Sequence, residues 1–260
     1  MSADIHLERE DEIATLVIDR PDKRNAISYE MYGRIPGLVR EVDEDQGIKV
    51  LVVRGAGDRA FSAGADIAEF KSIRADSEGA RIYNQAVQEA ESALHGLGKP
   101  VVAMVHGFCI GGGCGLAMAC DLRFSDEGGR FGITPANLGL VYSLESTKRL
   151  VDLVGPARAK YILFSGRQVM APRAYEIGLV DEVHESSELE SKTMEFVDVL
   201  RTRAQYSVRG TKHIIRLIGA GQVRDDAATI DLRNNSFDTE DYHEGVRAFL
   251  EKRPPRFTHA

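Results

Sequence analysis

The 260-residue sequence predicts an α/β fold that closes in a run of helices. Two observations carry this expectation. Short β-branched apolar runs (IATLVID, IKVLVVR, VVAMV) alternate with amphipathic stretches, the pattern of repeated strand–helix units. From Ser191 onward the pattern is almost wholly helical. Residues 1–200 are therefore expected to form the core and residues 201–260 a helical C-terminal region.

The elements follow in chain order. Ile5–Leu7 and Ile13–Asp19 flank the polar stretch Glu8–Glu12 and predict a hairpin. Arg20–Ala26 is a turn-rich loop, and Ser28 is placed to N-cap a helix. Pro36-Gly37 predicts a kink or break in that helix. Ile48–Arg54 predicts a buried strand, Ser77–His95 an amphipathic helix and Val101–Val105 another buried strand. Leu116–Ala119 predicts a helix and Leu122–Ser125 a short strand. Gly155-Pro156 splits the helical stretch Leu150–Phe164 in two.

Composition narrows the class. Hydrophobic residues make up 43% and charged residues 28%, ordinary for a soluble globular protein. The net charge of −7 disfavours nucleic acid and anionic membranes as partners. Cys109, Cys114 and Cys120 share one apolar stretch without zinc-site spacing, so buried free thiols and no metal are expected. A polar N-terminus and the absence of a long apolar run point to the cytoplasm.

Chemistry concentrates in two glycine-bearing turns, Phe61–Ile67 (FSAGADI) and Gly107–Gly115 (GFCIGGGCG). Each follows a strand pattern and precedes a helical one. Backbone N–H groups at a helix start have no internal partner and are free to meet an anion or a polarised carbonyl. Two such turns aimed at one oxygen make an oxyanion hole, where losing a donor costs roughly 3–4 kcal/mol of barrier. No GxGxxG fits residues 107–119 and no GxxxxGK[ST] is present, which disfavours dinucleotide and P-loop sites. Close helix–strand packing is the alternative use of Gly111–Gly113.

FSAGADI followed by GxxxGGGxxLAxxCD closely resembles the crotonase (enoyl-CoA hydratase/isomerase) superfamily. The resemblance extends to RPDKRNAIS, FGITPANLGL, GLVDEV and EGVRAFLEKRPPRF, nearly the whole chain. It implies a spiral of ββα units with a helical C-terminal trimerisation region, assembled as homotrimers or dimers of trimers. It implies an acyl-CoA thioester substrate and no cofactor beyond its coenzyme A moiety. The oxyanion donors carry over to the N–H groups of Ala65 and Gly112. Arg24 to Ala26 and Ala63 to Ile67, including Asp66, match coenzyme-A-contacting loops. Lys252 matches a basic residue that reaches the nucleotide, often from a neighbouring subunit.

The chain departs from the hydratases in that family. Their two catalytic glutamates fall on Gly115 and Pro135 here. TPANLGLVYSL is similar to the methylmalonyl-CoA decarboxylase branch, which implies a lyase in which CO2 departure generates the enolate. Thr134 and Tyr142 would orient the carboxylate or donate a proton. Ala65 and Val141 differ from that branch. The alternatives are a diverged hydratase or isomerase of fatty-acid metabolism using Glu145, and a non-catalytic acyl-CoA-binding protein. Ser143 and Glu145 also fit a helix cap and its acidic first turn.

Overall fold

The computed structural model describes residues 4–258. Strand β1 (Ile5–Glu10) turns back into β2 (Ile13–Ile18), as the alternating pattern predicts. Helix α1 (Tyr29–Glu44) starts at Ser28, whose hydroxyl accepts from the Met31 N–H. It runs on through Pro36. The expected break at Pro36-Gly37 is thus not made. Tyr32, Ile35, Val39 and Val42 bury one face of α1, and that burial outweighs the roughly 3 kcal/mol cost of an interior proline.

Strands β3 (Val50–Gly55) and β4 (Ala60–Ser62) lead to α2 (Ser77–Gly96). Next come β5 (Val101–Val105), β6 (Phe108–Ile110) and α3 (Gly112–Ala119). Strands β7 (Leu122–Asp126) and β8 (Arg130–Gly132) precede α4 (Leu144–Ser165). Helix α4 bends at Gly155 (φ 77°, ψ 161°), where the Gly-Pro pair predicts a split. The remainder is β9 (Val169–Met170), α5 (Ala171–Glu176), β10 (Glu182–His184), α6 (Leu189–Arg201), α7 (Gln205–Gly219), α8 (Ala227–Asn235) and α9 (Glu240–Glu251).

The strands form two sheets, ordered β1-β2-β3-β5-β7-β10 and β4-β6-β8-β9. From β3 to β8 the chain alternates between them, giving each sheet one strand per turn. This is the expected spiral. The six-stranded sheet is parallel except at β1–β2. Parallel strands covered on both faces carry unbroken apolar runs. Leu51, Val53, Val101 and Ala103 face the main core with α1 and α2. Val50, Val52, Val102, Met104 and Phe124 face a second core with Leu189 and Val197 of α6. The three cysteines are free and buried. Among the described residues no helix is long and apolar enough to cross a membrane.

Candidate active site

The neighbouring parallel strands β4 and β6 each feed one glycine turn, so the two turns lie side by side. A Cβ added to Gly112 would stand 3.9 Å from the Ala65 nitrogen, and one on Gly64 would stand 3.5 Å from the Gly112 nitrogen. Gly64 has φ +95°, and a side chain there would press to 2.7 Å from the Ile110 carbonyl. Only glycine allows both that conformation and that approach.

The N–H groups of Ala65 and Gly112 donate no backbone hydrogen bond among the described residues. Their neighbours are used: Gly64 donates to Ser62 Oγ, Asp66 to the Ile27 carbonyl and Gly111 to the Gly132 carbonyl. Two open donors on facing turns, neither residue fully buried, can hold one oxygen on which negative charge develops. Gly113 has the packing role instead, since a Cβ there would come within 2.6 Å of Ser62 Cβ.

The loop Arg24–Ala26 is bonded to the first turn. The Arg24 carbonyl accepts from Ala63, and the Ile27 N–H donates to the Gly64 carbonyl. Arg24 and Asn25 both take left-handed backbone (φ 50° and 55°). Buried Asn25 fixes that bend through the Ala56 and Ala60 carbonyls. The Ala26 carbonyl accepts from Arg20 Nη1. Arg24 and Arg130 lie 5.3 and 5.4 Å from the Phe108 ring centroid, a cationic rim beside the turns.

Asp66 is taken up inside the protein. It pairs with Arg20 Nη2 at 2.9 Å and Lys23 Nζ at 3.1 Å, and it caps the 3-10 turn Ile67–Lys71. Burial pushes its pKa up, but these bonds hold it below the usual value. It thus braces the loop against the turn. Ile67, the next residue, is 63% exposed. Lys252 caps α9 in a left-handed conformation and is exposed, with no hydrogen bond or ion pair to the turns.

On the inner side, the first turn of α3 faces a buried polar group. A Cβ on Gly112 would collide with the Tyr32 hydroxyl. A Cβ on Gly115 would collide with Glu91 Oε1 and stand 3.1 Å from the Tyr142 hydroxyl. Among the described residues, the hydroxyls of Tyr32, Tyr83 and Tyr142 are buried with no hydrogen-bond partner of good geometry. Burial raises all three pKa values, with Glu91 adding to the rise at Tyr32 and Tyr142. Thr134 is half-buried, heading the 3-10 turn Pro135–Leu138 with no side-chain cap bond.

Sequence reasoning missed Glu91. It lies on α2, 2% exposed, and its Oε2 accepts from Ser146 Oγ at 2.7 Å and Arg149 Nη1 at 2.6 Å. Burial raises its pKa, against the lowering pull of Ser146 and Arg149. The signal was spacing. Tyr83, Val87 and Glu91 follow at i, i+4 and i+8, which puts a carboxylate on the buried face of an amphipathic helix. Glu145 has the surroundings of the helix-cap alternative, in the first turn of α4 behind Ser143. Ser143 caps α4 and turns Glu145 outward, where it is exposed and accepts from Gln88 Nε2 at 2.7 Å.

The sequence profile of the enoyl-CoA hydratase/isomerase family matches residues 8–260. The chain belongs to this family. Its relatives include the crotonyl-CoA hydratase of Syntrophomonas wolfei, 34% identical with 97% of each chain covered. Another is the peroxisomal Delta(3,5)-Delta(2,4)-dienoyl-CoA isomerase of Arabidopsis thaliana, 31% identical, with 93% of this chain and 91% of that one covered. Among solved structures, an enoyl-CoA hydratase/isomerase family protein from Hyphomonas neptunium superposes with a TM-score of 0.97. It is 40% identical, and the match covers 100% of this chain and 99% of that one. The protein is thus an acyl-CoA enzyme of the enoyl-CoA hydratase/isomerase family.

Proposed function

We propose that the protein moves protons on an enoyl-CoA chain, by hydration or double-bond migration, through a thioester enolate held by the Ala65 and Gly112 N–H groups. The supporting observation is the pair of unpaired donors on facing turns. A thioester oxygen between them gains charge as the enolate forms, so the donors favour the transition state over the ground state. The Arg24–Ala26 loop, with the turn Ala63–Ile67 and Asp66 behind it, frames the entry. Its cationic rim suits a phosphorylated nucleotide, and Lys252 of a neighbouring subunit would complete it.

Turnover of crotonyl-CoA, followed by mass spectrometry, and of a 3-enoyl-CoA, followed by the ultraviolet absorbance of the conjugated 2-enoyl thioester, tests this. Addition of one water or a shifted double bond is the expected result. An unchanged thioester in both overturns it.

A second reading, a methylmalonyl-CoA decarboxylase-like lyase, draws support from the unpartnered Tyr142 hydroxyl beside Gly115. Thr134 and Tyr142 would orient the departing carboxylate or protonate the product. Methylmalonyl-CoA in the same panel decides, since propionyl-CoA would be its product. The exposed apolar residues Ile215, Ile218, Phe249 and Leu250 on α7 and α9 support a homotrimer, alone or paired into a hexamer. Sedimentation equilibrium reads that state. Buried free thiols suit the reducing cytoplasm.

A further inference from the structure

We infer that Glu91 is the acid–base residue of this site, a carboxylate delivered from α2 into the space that Gly115 leaves open. The inference rests on the enolate reading above. Gly115 lies three residues beyond Gly112 on α3, so the open space is one helical turn from an oxyanion donor. A Cβ at 115 would collide with Glu91 Oε1 and stand 3.2 Å from Glu91 Cδ. The carboxylate and a side chain at 115 therefore exclude one another. Ser146 and Arg149 both bind Oε2. No hydrogen bond is given to Oε1 among the described residues. Oε1 is thus turned toward α3, against Gly115. Burial also raises its pKa above the ordinary carboxylate value, against the pull of Ser146 and Arg149.

The step balances without a further reagent. The ionised Oε1 takes a proton from the α-carbon of the thioester. The C–H pair becomes the carbon–carbon π bond of the enolate, and the thioester oxygen carries the charge between Ala65 and Gly112. Returning the proton to the γ-carbon shifts the double bond. In hydration the same oxygen takes a proton from water as the water oxygen bonds to the β-carbon, and the proton then passes to the α-carbon.

Exchange of the α-hydrogens of butyryl-CoA in D2O, read by mass spectrometry, isolates this step. The wild-type chain should incorporate deuterium. Glu91→Gln keeps the shape and should slow exchange by about a hundredfold or more with KM for butyryl-CoA little changed. Because Glu91→Gln also disturbs the pair with Arg149, a second variant separates chemistry from folding. Glu91→Ala combined with Gly115→Glu returns a carboxylate to the same space from the opposite wall. Restored exchange in that double variant supports the role, since a structural tie between α2 and α4 would not be rebuilt. Wild-type exchange rates in Glu91→Gln, or a folded double variant with no exchange, overturn it and leave the enolate reading standing. A wild-type chain that exchanges nothing overturns both.

Discussion

Two arginine-bound carboxylates in this protein behave in opposite ways. Glu244 on α9 has both oxygens taken. Arg253 donates to each at 2.6 and 3.0 Å, Arg247 Nη2 to Oε2 at 2.6 Å and the Arg256 N–H to Oε1 at 2.9 Å. Arg253 first, then the Arg256 N–H and Arg247, hold its pKa far below the usual carboxylate range. Glu91 has one oxygen taken and one open, and its pKa is raised by burial. Both carboxylates form ion pairs with arginine. Saturated lone pairs mark a carboxylate that pins chain, here the segment after α9. An open oxygen against a glycine marks one with room to do chemistry.

The contrast breaks most visibly at the neighbouring glycines. Gly115→Ala drives a Cβ into Glu91 Oε1 and is expected to lower kcat about a hundredfold. Gly245→Ala, beside Glu244, meets only Phe257 at an ordinary 3.6 Å and should leave kcat within a factor of about two. Steady-state kinetics on the turned-over enoyl-CoA compares them.

Tyr142→Phe removes a buried hydroxyl that has no hydrogen-bond partner of good geometry among the described residues. An unmade buried hydrogen bond costs roughly 1–3 kcal/mol, so the melting temperature should hold or rise. If Tyr142 steadies a proton in the site, kcat falls by about tenfold in the same variant. A calorimetric scan with matched kinetics separates the two effects.

Next comes pH. The folded pKa of Glu244 is depressed, so its stabilisation is present above the ordinary carboxylate range and is lost as pH falls through that range and below. The folded pKa of Glu91 is raised, so its contribution favours the fold on the acid side and fades as pH rises through that folded value. Glu244→Gln should therefore flatten the acid limb of a plot of Tm against pH. Glu91→Gln should not. The smallest effect is expected at Glu145→Gln. Its exposed bond to Gln88 predicts under about 0.5 kcal/mol and unchanged turnover.

Local chemistry was legible in the sequence. Ser28 caps α1, Gly155 bends α4, and the two glycine turns come together because β4 and β6 are neighbours. The cap and the bend depend on adjacent residues, whereas the meeting of the turns depends on the tertiary pairing of β4 with β6. Pro36 misled because its local cost is offset by core contacts from α1 that come from elsewhere in the chain. Glu91 escaped notice and Glu145 did not, because local pattern does not show which helix face looks toward the turns. Which one enters the site depends on how α2 and α4 face each other, through Ser146, Arg149 and Gln88. Such pairing is tertiary, and spacing along one helix hints at it only faintly.

The adjacency of β4 and β6 has a consequence for how this chain can change. Neighbouring strands stand about 4.8 Å apart, so the gap between the two N–H donors is set by a backbone ladder. No side chain supplies either donor. Substitution at 65 or 112 can crowd a donor, yet proline alone deletes it outright. The side chains beside the first turn of α3, Tyr32, Tyr142 and Glu91, hang on other elements. They can be exchanged one at a time while the seat for the thioester oxygen stays where it is. A glycine at 115 with a carboxylate reaching it from 91 is the kind of arrangement such a division of labour permits.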